Sequence, residues 1–183
     1  MEINKTNLSG VLEVIPDVYY DERGNFREIY KNSANTPFGN AVQVNQSVSV
    51  KGTLRGLHFQ KPPYAQAKLV RAVYGKILDV AVDIRKNSPT FGQYVAVELS
   101  AAKGNELYIP IGFAHGFLAL PDELTDEAKV EYLVFGAPYH KESESGILYN
   151  SSELDIDWGD TEKIISDKDL LWDPFNKDTN YGF

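Results

Sequence analysis

The chain has 183 residues, 43% apolar and 24% charged, which is enough to bury one sizeable core without metals or disulfides; one domain over 1–183 is expected and wholesale disorder is excluded. Its 18 Lys and Arg against 26 Asp and Glu leave a net charge of −8, which repels nucleic acid and anionic membranes at long range, although clustered cations still act locally. Cysteine is absent, excluding disulfides, thiolate catalysis and zinc–thiolate sites, and the start M-E-I-N-K-T-N-L has no apolar leader core, so the expectation is a cytoplasmic protein without a membrane span.

In chain order, the first turn signals are D-E-R-G-N at 21–25 and Val50-Lys51-Gly52. R-G-L-H-F-Q, 55–60, reads as a strand; Arg55 and His58 would lie on opposite faces of a regular strand, and Gly56 is expected to bulge it and bring them together. K-L-V-R-A-V starts at Lys68, which shares a face with Val70 and Ala72. In K-I-L-D-V-A-V-D-I-R, 76–85, Leu78, Val80, Val82 and Ile84 alternate with Asp79, Ala81, Asp83 and Arg85, the pattern of a strand with one face in the core and the other in water. Turns at 86–90 and 101–105 bracket Y-V-A-V-E-L-S, and further alternating runs occupy 106–111 and 130–135. Helical pattern is confined to a turn near Asp122 to Asp126 and to the tail from about Glu162 to Trp172. Many short strands between turns predict an all-β fold, a double-sheet jelly roll with short C-terminal helical segments and a cavity lined by inward side chains.

Several polar residues do not suit an apolar interior. His58 is either a buried histidine bonded to a backbone carbonyl or, with Arg55 nearby, part of an anion site, because two potential cations stay together only around something negative. I-P-I-G-F-A-H-G-F-L, 109–118, places His115 between glycines and aromatics, as a packed turn or as a site. Lys68 is either an edge charge or a buried reactive group. Tyr132, on the face of Val130 and Val134, taken alone reads as core. His140, in H-K-E-S-E-S, is most simply a solvated loop residue and is assigned no role.

At R-G-L-H-F-Q, K-L-V-R, D-V-A-V-D-I-R, S-P-T-F-G, I-P-I-G-F-A-H-G-F, G-I-L-Y-N and S-D-K-D, in that order, the sequence resembles the dTDP-4-dehydrorhamnose 3,5-epimerases. The resemblance implies a cupin-type jelly roll, a homodimer with an exchanged N-terminal strand, no metal and no organic cofactor. It implies inversion of carbons 3 and 5 of dTDP-4-dehydro-6-deoxy-D-glucose. A C–H beside a ketone is a far weaker acid than imidazolium, so a base needs an enolate stabiliser as well. The roles implied are His58 as base, Asp169 as its orienting carboxylate, Tyr132 as the acid on the opposite face and Lys68 as the enolate's cation. His115 would line the sugar site with Asp79 on its second ring nitrogen, while Arg23, Glu28, Gln43, Asn45, Arg55, Glu144 and Lys168 match substrate-contacting positions. The segment around Arg23 and Glu28 would serve the neighbouring subunit's site. Departures from the family pattern fall at Gln46, Val48, Leu133, Tyr108, Tyr149 and Gly159; they spare the catalytic groups and bear on the pocket's contours.

Three alternatives accompany this reading. The closest is an epimerase acting at one carbon of a related 4-keto sugar nucleotide. A metal-dependent cupin would need more ligands than the single His of R-G-L-H-F-Q and His115 supply. A non-catalytic sugar-binding jelly roll would need the pocket but not a base and an acid on opposite faces.

Overall fold

The computed structural model describes residues 1–33 and 36–183. Its strands are β1 (Glu2–Lys5), β2 (Leu12–Ile15), β3 (Val18–Asp21), β4 (Gly24–Arg27), β5 (Ala41–Val50), β6 (Thr53–Gln60) and β7 (Gln66–Tyr74), then β8 (Lys76–Asp83), β9 (Tyr94–Ser100), β10 (Glu106–Ile109) and β11 (Phe113–Ala119). They are followed by β12 (Glu127–Gly136), a single 3-10 turn (Lys141–Ser143), β13 (Glu144–Gly146), β14 (Ile164–Ile165) and a short α-helix, α1 (Asp167–Leu170). One sheet runs β1-β2-β10-β7-β12-β5, the other β13-β6-β11-β8-β9, and among the described residues β3 pairs only with β4. Apart from β14, which joins β6 in parallel, the ladders are antiparallel, and the two faced sheets make the expected jelly roll.

Three apolar clusters hold it together. Between the sheets, Val70, Leu107, Ile109 and Val130 meet Ile77, Ala81, Leu99, Phe113 and Phe117. This plug fills one part of the interior and leaves the part around Lys68, His58 and His115 as a polar cup. Phe38, Leu69, Leu133 and Phe135 cover part of the outer face of the first sheet. On the outer face of the second, Leu54, Val80, Val82, Ile84 and Leu118 pack under Ile147, Leu154, Trp158 and Phe175 of the C-terminal tail. Each fully buried aliphatic side chain of this kind stabilises the fold by roughly 1.5–3 kcal/mol.

That last cluster corrects the expectation for β8. Its alternation predicts a solvated face bearing Asp79 and Asp83, yet both aspartates are 0% exposed. The tail covers the apolar face, and the carboxylate-bearing face is the one that looks between the sheets, where each aspartate finds a cationic or imidazole partner. The predicted helices are also shorter than the pattern implied. Ile164 and Ile165 pair as strand against Thr53 and Leu54, so helix begins only after Ser166, whose hydroxyl caps the amide of Asp169. Near Asp122 the chain makes side-chain-closed turns instead of a helix, with Asp122 Oδ1 accepting from the Leu124 amide at 2.9 Å.

Gly56 bulges β6 as expected. Between His58 and Arg55 the strand spends three steps while β11 spends two, from His115 to Phe117. The bulge requires glycine on both strands: a Cβ on Gly56, at φ +122°, would lie 2.5 Å from the Gly116 Cα, and one on Gly116 would lie 2.7 Å from the Arg55 carbonyl oxygen. The extra residue turns Arg55 and His58 to the same side, into the cup.

Candidate active site

The cup consists of two adjoining cavities of about 280 and 390 Å³, both lined by His58, Lys68 and Tyr132. The inner one adds Arg55, His115, Lys168 and Asp169, and the outer mouth adds Gln43, Asn45 and Glu144. Their size is in the usual range for a site that engulfs a small molecule. His58 comes from one sheet, on β6, and Tyr132 from the other, on β12, so they meet the cavity from opposite walls. Lys68, on β7 beside β12, has its Nζ 5.8 Å from the centre of the Tyr132 ring.

Both imidazoles of the cup are held by carboxylates. His58 Nε2 lies 2.6 Å from Asp169 Oδ1, and the other oxygen of Asp169 accepts from the Gly56 amide at 3.3 Å. Burial alone would raise the Asp169 pKa, but the imidazole, the Gly56 amide and the Ser166 hydroxyl together bring it below its ordinary value, so it stays ionised. His115 Nε2 lies 2.7 Å from Asp79 Oδ1 on the neighbouring strand. Burial dominates there and pushes the His115 pKa down despite Asp79, favouring the neutral ring.

Two further shifts follow from the cavity walls. Lys68 is pulled down to about 8 by burial, which outweighs the stabilising charges of Asp79 and Glu144. Burial also raises the Tyr132 phenol, more than the neighbouring Asn45 lowers it, so the phenol holds its proton at neutral pH. Glu144 bridges Lys168 at 2.6 Å and the Tyr139 hydroxyl at 2.9 Å. Burial raises its pKa, but these two partners keep it below the usual carboxylate range. Arg55 donates from Nε to Ser49 Oγ at 3.1 Å and leaves much of its guanidinium along the cavity.

Arg23 and Glu28 are the two residues expected at a neighbouring subunit's site. Arg23, whose side chain is 83% exposed, pairs with Asp21, and Glu28 faces solvent near Lys31; neither lines the cup of its own chain. Conversely, Ser47, Phe117 and Ser166 line the inner cavity without having been anticipated. Ser47 was detectable, because Gln43, Asn45, Ser47 and Ser49 form a polar period-two row on the inward face of β5, which is unusual for an interior strand face. Trp172, whose ring meets His58 edge-on at 6.3 Å and packs over Gly146, gave no such signal. Among the described residues no group of three or more His, Asp or Glu side chains is placed to hold a metal ion. No helix among them is long and apolar enough to cross a membrane.

A jelly-roll cup with carboxylate-held imidazoles on one wall and a protonated phenol beside an ammonium on the other defines a cupin-type protein equipped for acid–base chemistry. The family model described as dTDP-4-dehydrorhamnose 3,5-epimerase matches residues 5–177. The dTDP-4-dehydrorhamnose 3,5-epimerase of Methanothermobacter thermautotrophicus is 45% identical over 183 residues, covering 97% of this chain and 96% of its own. The crystal structure of the enzyme of that name from Elizabethkingia anophelis superposes with a TM-score of 0.90 at 43% identity, covering 99% of both chains. A Legionella pneumophila dTDP-6-deoxy-D-glucose-3,5-epimerase, solved in complex with dTDP-4-keto-L-rhamnose, gives 0.85 at 40% identity over 94% of this chain and 92% of its own. The chain belongs to the dTDP-4-dehydrorhamnose 3,5-epimerase family, and it is an isomerase.

Proposed function

We propose that the protein inverts carbons 3 and 5 of dTDP-4-dehydro-6-deoxy-D-glucose to give dTDP-4-dehydro-L-rhamnose. The observation that carries this reading is the placement of His58 and Tyr132 on opposite walls of one cavity. Inversion needs a proton removed on one face of the sugar and returned on the other. His58, held by Asp169, takes the proton from the carbon beside the ketone, and the electron pair moves onto the ketone oxygen as an enolate. Lys68, a compact cation in a poorly solvated site, stabilises that oxyanion. Tyr132 then delivers its proton to the opposite face, the ketone re-forms, the phenol is reprotonated from solvent and His58 releases the proton it took to solvent. The same sequence at the second carbon completes the reaction. The ketone is already present in the substrate, so no change of oxidation state is required.

His115, held by the buried Asp79, lines the sugar side, and Arg55 with Lys168 supplies the positive charge suited to a pyrophosphate. The ligand named for the Legionella relative is the product this reading requires. A homodimer with an exchanged N-terminal segment is part of the proposal. Among the described residues the β3–β4 hairpin pairs with no other strand and leaves Tyr19, Tyr20 and Phe26 exposed, while Val42, Val44, Val48 and Val50 stand uncovered along β5. A partner's Arg23 and Glu28 at the mouth of the cup would account for both features.

The test is incubation in deuterium oxide with NMR readout. Deuterium at carbons 3 and 5 is expected; label at one carbon would leave a single-centre epimerase, and none would leave a sugar binder. Tyr132→Phe should still exchange label through His58 while net inversion falls by about 10²–10⁴. Exchange surviving in His58→Ala would overturn the base assignment.

A further inference from the structure

His140, to which the sequence reading gives no role, packs its ring flat on Tyr64, with centroids 3.9 Å apart and planes 4° from parallel. Its loop, residues 137–143, crosses from β12 in one sheet to β13 in the other and so spans the mouth of the cup. Three glutamines hold its backbone: Gln66 Nε2 donates to the Ala137 carbonyl at 3.0 Å, and Gln43 Oε1 and Gln60 Oε1 each accept at 2.9 Å, from the amides of Tyr139 and His140. All three glutamines line the mouth. The far end is tied by the Lys61 amide, which donates to the Ser143 carbonyl at 2.8 Å. What the loop carries is functional furniture: Tyr139 hydrogen-bonds Glu144, which in turn grips Lys168.

We propose that the Tyr64–His140 stack is a clasp that positions the loop, and through it Tyr139 and Glu144, for binding of the nucleotide sugar. His140 is a positioning residue in this account, since its ring lines neither cavity and touches the mouth only through the loop. The backbone tethers to Gln43, Gln60 and Gln66 exist only while the loop lies flat, and each hydrogen bond by itself adds only modest net stability, because an open loop exchanges it for one to water. A stacked aromatic pair adds a directional contact worth a factor of about two to ten in equilibrium terms, enough to decide whether such a loop is mostly closed. Closure sets the fraction of binding-competent protein, and with it the apparent affinity. The chemical groups His58, Lys68 and Tyr132 sit on sheet strands held by their own ladders, so kcat changes less than KM.

The inference rests on the proposed epimerase reading and is tested with dTDP-4-dehydro-6-deoxy-D-glucose. His140→Ala is expected to raise KM about two- to tenfold, the worth of the stack, with kcat at saturation within about twofold and an unchanged melting temperature. His140→Phe, which keeps a stacking ring, should restore KM, and Tyr64→Ala should reproduce the defect. An unchanged KM in His140→Ala, or a His140→Phe as impaired as His140→Ala, would overturn the clasp while wild-type turnover stands. A parallel fall in kcat and melting temperature would show a general packing role and overturn it too. Wild-type protein inert on this substrate would overturn the epimerase reading instead.

Discussion

His58 and His115 stand directly opposite one another across the β6–β11 pair, and each is tied through Nε2 to a different buried aspartate, Asp169 at 2.6 Å and Asp79 at 2.7 Å. The two supports differ in origin. Asp79 belongs to the adjacent strand of the same sheet, so the fold of the sheet is enough to set His115. Asp169 arrives on α1, 111 residues away from His58 in sequence, and its position depends on the tail being docked.

Replacing Asp169 by Asn keeps the shape and removes the charge that supports an imidazolium. kcat should fall by up to about 10⁴ while KM stays within about threefold, by analogy with orienting carboxylates in other acid–base sites. Ser166→Ala removes the cap of α1 and one hydroxyl from the cavity wall but leaves the Asp169 charge in place, and should give a smaller loss of kcat. Steady-state kinetics of the two variants check this; equal and negligible effects would mean that Asp169 does not act through His58.

Lys68 should impose an alkaline limb on the reaction. Only its ammonium form stabilises an oxyanion, so kcat/KM should decline as pH rises through about 8. Lys68→Met should lose about 10²–10³ in kcat. The same variant should be more stable at pH 7, by on the order of 2 kcal/mol, because a cation whose folded pKa lies below its ordinary 10.5 costs stability while charged. That cost disappears as pH climbs from about 8 to 10.5, so the melting curves of the two proteins should converge there.

Asp83 supplies stability without lining the cup. It accepts from Arg85 Nη2, Ser88 Oγ and Thr90 Oγ1, each at 2.6 Å. Burial raises its pKa, yet these donors together bring it down to about 2. A carboxyl depressed in the folded state stabilises above its ordinary 3.8, and the contribution is lost as pH falls from there to about 2. Asp83→Asn should therefore cost about 2 kcal/mol at pH 7, with the deficit closing across that acid window, as measured by denaturant titration at several pH values.

If Arg23 serves the partner's cup, two crippled subunits can repair one another. Arg23→Ala and His58→Ala chains, each of low activity alone, should regain roughly a quarter of wild-type activity when refolded together, because half of the dimers are mixed and each has one intact site. Failure of the mixture to exceed its components would place Arg23 outside the partner's site.

Much of this molecule is written locally. Alternation marked most of the long strands, glycine at position 56 announced the bulge that turns Arg55 and His58 together, and the run of motifs from R-G-L-H-F-Q to S-D-K-D carried the family and most of the cup's lining. Those features depend on near neighbours in the chain or on side-chain chemistry, and both are visible in a string of letters. Which face of β8 looks inward was decided elsewhere, by a C-terminal tail that covers the Val80–Val82–Ile84 side and leaves Asp79 to the interior. The tail likewise decided how little of 162–172 is helical and where Trp172 stands beside His58. The stacking of His140 on Tyr64, 76 residues apart, is of the same kind. Period-two patterning records that a strand has two unlike faces, but assigning those faces takes knowledge of what else in the chain will pack against them, and that is settled only when the whole chain competes for the same surfaces.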